Sequence, residues 1–326
     1  MKTHEEWLNL GYDFMAVSNF EKARRCFENS YAIKPDNSIL PLINKCRDEI
    51  ILCTNSTTSN IDYIDKLYLN GNLMMVMGDF ESAINYYDNA ITIDKNFTNA
   101  IFYKGIALVS LSRYEEAISC YDTLLKIDPK DTDVLEKKGI ALTGMNNYEK
   151  AIACYKAALE ITPREPKLLL NLGRLYQNYG NYKDAIAYYD QVLYIEADNM
   201  HAWYFKGQAL SEQGLSTSLQ NKFEESLKCL NQALTLEPQN INMLKDKARA
   251  LKNIGSLNEM VKCNERILEL APNDLHVLKE IAEYYKNSHK YATAVIYYER
   301  LARLDVHTDY SYELTNLVAK AERVSR

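Results

Sequence analysis

The apolar residues of this chain recur with a helical period, and the helical pattern is itself repeated. "GDFESAINYYDNAITID" (78–94), "NNYEKAIACYKAALEITP" (146–163) and "GNYKDAIAYYDQVLYIE" (180–196) each read as half of an amphipathic helical hairpin. Ala83, Ala117, Ala151 and Ala185 recur every 34 residues. Counted from the residue after each turn, the repeats are 4–37, 64–97, 98–131, 132–165, 166–199, 200–240, 241–274 and 275–308. The sixth is seven residues too long. One hairpin cannot bury its apolar face alone, so stacked neighbours must supply a continuous core.

Positions within the repeat have distinct duties. Position 8 is Gly11, Gly71, Gly105, Gly139, Gly173 and Gly207, then Ala248 and Ala282. Glycine inside a helix costs roughly 0.5–1 kcal/mol against alanine, so close approach of another helix is expected there. Position 20 is Ala23, Ala83, Ala117, Ala151, Ala185, Ser226, Met260 and Ala294, a second close contact at which Met260 is the anomaly. Large residues fill position 4 (Trp7, Leu67, Ile101, Leu135, Leu169, Trp203, Leu244, Leu278) and position 24 (Phe27, Tyr87, Tyr121, Tyr155, Tyr189, Leu230, Asn264, Tyr298). Small opposite large is how helices interdigitate. Gly78, Gly180, Gly214 and Gly255, with Asn146, stand at position 15 and suit the left-handed end of a first helix. Pro35, Pro129, Pro163, Pro238 and Pro272 stop the second helix. Asn37, Asp131, Asn199, Asn240, Asp274 and Thr308 are candidate N-caps, and Pro166 suits a first helical position.

These residues resemble the tetratricopeptide repeat, whose order of large, Gly/Ala, large, aromatic, Ala, aromatic, Ala and Pro is met almost entirely in the third and fourth repeats. The resemblance covers about 275 of the 326 residues. It implies an all-α fold: a right-handed superhelical α-solenoid of stacked antiparallel helix pairs, with the first helices lining a concave groove. Two stretches depart from it. "SILPLINKCRDEIILCTNSTTSN" (38–60) contains one helix, with Asn44 and Lys45 where small residues should be, and then a polar loop. It reads either as a degenerate repeat packed on repeat two or as a mobile unit able to pair with another chain. "LSTSLQN" (215–221) is expected as an insertion between the two helices of repeat six: a tolerated surface loop, a binding loop, or a phosphorylation site at Ser216, Thr217 or Ser218. The tail "DYSYELTNLVAKAERVSR" (309–326) places Tyr310, Leu314, Leu317, Ala321 and Val324 on one face, as a capping helix does. The expected organisation is therefore 1–59, an N-terminal hairpin with an irregular helix and loop; 60–308, seven consecutive repeats; and 309–326, the cap.

Composition narrows the function. The chain is 47% hydrophobic and 25% charged, with net charge −6, which suits a soluble folded protein and argues against a general nucleic-acid binder. No membrane-length apolar run and no signal-peptide pattern occur, and the seven cysteines are expected as free thiols in the cytoplasm. Cys26, Cys120, Cys154, Cys229 and Cys263 share position 23 with Tyr86, Tyr188 and Tyr297. Equivalent residues on neighbouring repeats stand about 8–10 Å apart, too far for a disulfide, so cysteine is expected as an apolar filler; Cys46 and Cys53 are equally inert. No GxxxxGK[ST], GxGxxG, GxSxG, HExxH or CxxC motif is present. No catalytic residue, metal site or cofactor is therefore expected.

The resemblance implies that positions 2, 5, 9 and 12 of each first helix face the groove. Position 5 runs Leu8, Tyr68, Phe102, Glu136, Leu170, Tyr204, Lys245 and Lys279, and position 9 runs Tyr12, Asn72, Ile106, Ile140, Arg174, Gln208, Arg249 and Glu283. Early repeats are apolar and aromatic; repeat seven carries a basic strip of Lys245, Arg249 and Lys252. That strip is either a solvated face balanced by Asp246, Glu280 and Glu283 or a site for an anion. The carboxylate clamp of chaperone-binding relatives is not supplied by any three consecutive repeats: Tyr68 and Asn72, or Glu136, Ile140 and Asn171, leave it incomplete. The expected function is a non-enzymatic scaffold that holds a peptide or helix of another protein, apolar with an acidic end, on Tyr12, Tyr68, Asn72, Phe102, Ile106, Ile140, Asn171, Arg174, Tyr204, Gln208, Lys245, Arg249 and Lys252. It is expected as a monomer or weak homodimer, with no nucleic-acid or membrane partner. The alternatives are a self-assembling structural protein and an enzyme regulator with its own ligand pocket.

Overall fold

The computed structural model describes residues 2–35, 38–55, 60–305 and 307–324. The described residues form helices and turns only. They divide into two compact units, Met1–Asn146 and Asn147–Arg326, and the division falls between the two helices of repeat four. The first unit holds α1 (His4–Ala16), α2 (Phe20–Ile33), α3 (Leu40–Asn55), α4 (Asn60–Met77), α5 (Phe80–Ile93), α6 (Thr98–Ser110), α7 (Tyr114–Ile127) and α8 (Thr132–Gly144). The second holds α9 (Tyr148–Ile161), α10 (Pro166–Asn178), α11 (Tyr182–Ile195), α12 (Met200–Thr217), α13 (Gln220–Leu236), α14 (Ile241–Ile254), α15 (Leu257–Leu270), α16 (Leu275–Asn287), α17 (Tyr291–Leu304) and α18 (Ser311–Val324).

Each hairpin turns on one left-handed residue: Ser18, Gly78, Ser112, Asn146, Gly180, Ser218, Gly255 and His289. At Ser18, Ser112, Gly180 and His289 the following N–H reaches back five residues, from Asn19 to Phe14 (2.8 Å), Arg113 to Leu108 (2.8 Å), Asn181 to Tyr176 (2.8 Å) and Lys290 to Tyr285 (2.9 Å). That bond satisfies a helix-terminal carbonyl and fixes the reversal. Glycine at position 15 signals the turn only where it is present, so Ser18, Ser112 and His289 carry no such signal. Asp131, Asn199, Asn240 and Asp274 cap their helices as expected. Thr308 does not, because α18 begins only at Ser311; Asn37 lies outside the described residues.

The glycines of position 8 meet the large residues of position 24. A Cβ at Gly11, Gly71, Gly105 or Gly173 would fall within 3.0 Å of ring atoms of Phe27, Tyr87, Tyr121 or Tyr189, and one at Gly207 would meet Leu230. Gly144 follows the same logic outside the repeat rule, against the ring of Tyr114. The position-20 alanines are fully buried. Ser226 keeps that place by donating its hydroxyl to the Gly207 carbonyl at 2.6 Å. In repeats five and eight the aromatic residue of position 23 meets one at position 11: Tyr188 stacks on Tyr176 and Tyr297 on Tyr285 at 5.5 and 5.7 Å. The small cysteine stands where position 11 is Phe14, Leu108, Leu142, Leu210 or Leu251. Burial pushes the thiols of Cys26 and Cys229 up to about 11, and their thiolate form is suppressed.

The seven extra residues of repeat six do not form the expected loop. They lengthen α12 to 18 residues and α13 to 17, against 13 and 14 in α10 and α11. Seven residues are about two helical turns, so sharing them between the helices preserves the facing sides. The turn moves to Ser218. Gly214 therefore lies buried within α12, against the ring of Phe223, and not at a turn.

In the first unit, α3 packs on repeat one: Ile39, Ile43 and Cys46 share a core with Phe14, Ala23, Cys26 and Phe27, and Leu73 and Met77 of α4 join it. Residues 56–59 of the expected polar loop lie outside the described residues. Polar contacts also tie repeat one to repeat two. The Lys22 ammonium donates to the Asn70 carbonyl at 3.0 Å, Asn19 bonds Asn70, and the Tyr86 hydroxyl donates to Glu21 at 3.1 Å. Burial lowers Lys22 to about 7. In the second unit, Leu317 is buried and Tyr310 rests near the ring of Tyr298 at 6.1 Å, so α18 closes the apolar end of repeat eight.

Candidate functional site

The first helices of the two units present different chemistry. In the first unit Tyr12 lies half exposed on α1, with its ring edge-on to Phe27 at 5.4 Å. Tyr68 of α4 packs edge-on against Phe97 and Tyr103 at 5.4 and 5.8 Å. Phe102 of α6 meets Tyr103 and Tyr121 at 5.5 and 6.3 Å. Tyr68, Asn72, Phe102, Ile106 and Ile140 are all half-buried. The expected apolar face is thus a packed aromatic cluster with one side open, and Tyr12 stands apart from its ring contacts. Asn72 accepts from the Tyr87 hydroxyl at 2.8 Å. Its equivalent one repeat on is Ile106, and the buried Tyr121 hydroxyl has no hydrogen-bond partner among the described residues.

In the second unit the residues form a connected polar network. Arg174 of α10 lies over the Phe205 ring at 5.0 Å. Tyr204 and Gln208 of α12 donate to Asp246 of α14 at 2.9 and 2.7 Å, and Arg249 pairs with the same carboxylate. Lys245 reaches Asp274 at 2.5 Å, and Lys252 reaches Glu280 of α16 at 2.7 Å. Asn171 is half-buried on α10.

The basic strip is therefore paired, and the pairs share an orientation. Lys245, Arg249 and Lys252 side chains are 42%, 60% and 57% exposed, whereas Asp274, Asp246 and Glu280 are 15%, 13% and 20% exposed. The positive end of each pair faces solvent. Burial works to raise the Asp274 and Glu280 carboxyls, but hydrogen bonds from Lys245 and from Lys252 with Asn264 outweigh it and hold both below their ordinary values. Asp274 does two jobs, since it also caps α16 through the Val277 N–H at 3.1 Å; the cap was legible in sequence and the ion pair was not.

Two hollows flank this strip. One, of about 520 Å³, is lined by Tyr204, Gln208, Lys245, Arg249 and Asn264 among others. The other, of about 580 Å³ between α14, α15 and α16, has Leu257, Met260, Lys279 and Tyr284 in its wall. Lys252, His276 and Glu280 line both. Among these residues sequence reasoning singled out Met260 as an anomaly and missed Leu257 and Tyr284. The described residues contain no group of three His, Cys, Asp or Glu placed to hold a metal ion. No described helix is long and apolar enough to cross a membrane.

Consecutive helix pairs with one variable face define a helical-repeat protein of the interaction type. Residues 75–139 and 142–214 match the tetratricopeptide repeat family, and the consecutive helix pairs of the described residues are consistent with about eight repeats of that kind. Two solved structures share the fold. The C-terminal part of a TPR repeat-containing protein from Cytophaga hutchinsonii is 17% identical with TM-score 0.62, over 76% of this chain and 98% of that one. A tetratricopeptide repeat protein from Parabacteroides merdae is 16% identical with TM-score 0.57, over 79% and 98%. YrrB, described as a TPR protein with an unusual peptide-binding site, is 18% identical over 59% of this chain and 99% of its own, with TM-score 0.46. No curated protein matches the sequence.

Proposed function

We propose that this chain is a non-enzymatic scaffold whose first-helix faces hold segments of partner proteins. The observation that carries this is that positions 5 and 9 change chemical kind from repeat to repeat, while the packing positions keep theirs in most repeats. A purely structural solenoid gains nothing from that variation. The first unit offers aromatic surface around Tyr68 and Phe102, suited to apolar side chains. The second offers outward-facing cations at Lys245, Arg249 and Lys252, suited to acidic ones. Partly exposed pairs of this kind contribute little stability, about 0–1 kcal/mol each, so they are free to exchange partners.

The test is affinity capture from a native lysate with wild type, Phe102→Glu and Arg249→Glu, each checked for unchanged helix content. A partner held by wild type and lost by either folded variant supports the reading. A partner held equally by all three contradicts it.

A further inference from the structure

Repeat seven departs from the chain's packing rule at positions 20 and 24 and shares alanine at position 8 with repeat eight, and its residues at all three positions border the two hollows. Ala248 stands where six repeats have glycine, Asn264 where most have an aromatic ring, and Met260 where most have alanine. In repeats one, two, three and five a ring lies against the glycine and fills the space. Asn264 is too short to do so. It is buried, and its amide turns to Glu280 of α16 at 3.1 Å. Ala248 and Asn264 line one hollow and Met260 the other. An amide where other repeats have a ring or leucine, beside a hollow, points to function there.

The hollows differ in chemistry. Lys245 and Arg249 stand at the first, with their carboxylate partners beneath them. The second has an apolar wall of Leu257, 44% exposed, with Met260 and Tyr284. The two adjoin, since Lys252, His276 and Glu280 line both. An occupant that runs from one to the other meets cations and then an aliphatic wall.

We propose that this double recess binds a partner-protein segment in which an acidic residue, set over Lys245 and Arg249, stands close in sequence to a leucine-, isoleucine- or methionine-type side chain set against Leu257 and Met260. The inference rests on the scaffold reading above and names what this end of the second unit selects.

The test uses a displayed library of random dodecapeptides selected on the full chain. Selected peptides are then measured by fluorescence anisotropy against three variants. One regularises the repeat (Ala248→Gly, Met260→Ala, Asn264→Phe, copying the Phe27–Gly11 pairing). One is the surface change Leu257→Asp, which leaves the core intact. The third is Phe102→Glu. The expected consensus is Asp or Glu near Leu, Ile or Met, with affinity reduced at least tenfold by regularisation and by Leu257→Asp, both still folded by circular dichroism. A basic consensus, no selected peptide, or equal binding by Leu257→Asp overturns the proposal. Peptides lost only on Phe102→Glu overturn it too, yet leave the scaffold reading standing.

Discussion

Repeats five and seven lie in the same unit, follow the same period and use their interiors differently. In repeat five Gly173 receives the ring of Tyr189, whose hydroxyl donates to Gln177 at 2.8 Å, and Ala185 is fully buried. Every atom of that interface is committed to packing. In repeat seven Ala248, Met260 and Asn264 replace the three, and Asn264 directs its amide across to Glu280. The comparison teaches that the repeat is a packing rule with an optional exception. A solenoid tolerates one loose repeat because stability accumulates from neighbours on both sides.

The largest effect separates the two at position 24. Tyr189→Ala should cost about 3–5 kcal/mol, as removal of a buried ring does, whereas Asn264→Ala should cost less, about 1.5–3 kcal/mol, the value of a lost hydrogen bond to a carboxylate. Urea unfolding measures both; equal costs would erase the distinction. At position 8 both changes destabilise, with a smaller difference in size and a different cause for each. Gly173→Ala drives a Cβ to 2.6 Å from the Tyr189 ring and should destabilise by about 1–3 kcal/mol. Ala248→Gly, with no ring to relieve, should cost about 0.5–1 kcal/mol through helix propensity alone. A tolerated Gly173→Ala would break the account of the glycine row.

The smallest effect is electrostatic. Asp274 and Glu280 have folded values below their ordinary ones. Their contribution is therefore complete above the ordinary carboxylate range, about pH 4, and is lost as pH falls through the depressed folded values. Acid titration of thermal stability should show this loss in wild type and less of it in Lys252→Ala. A loss that instead begins near neutrality would contradict the assignment.

Much of the fold was legible because glycine, alanine and aromatic positions recur at fixed spacing. The turns at Ser18, Ser112 and His289 were not legible, since a left-handed residue other than glycine or asparagine leaves no compositional mark. Repeat six misled for a related reason: an insertion of two helical turns has the same composition as a loop, and only the buried side of Gly214 tells them apart. At the candidate site the sequence placed Tyr204 and Gln208 on one face of a first helix, and Lys245, Arg249 and Lys252 on the equivalent face of the next first helix. It offered Asp246 and Glu280 as balancing carboxylates, which pair with Arg249 and Lys252, but missed Asp274, which reaches Lys245 from the cap of the following helix. Met260 and Asn264 were visible as anomalies, but the hollows beside them depend on the neighbouring helix.

The central claim is that repeat seven trades packing for a ligand. The most direct measurement is the melting temperature of wild type and of the regularised triple variant, each with and without a saturating selected peptide. The account predicts that the variant melts at least as high as wild type and does not shift with peptide, while wild type shifts upward. A variant that melts lower and still shifts with peptide would contradict it.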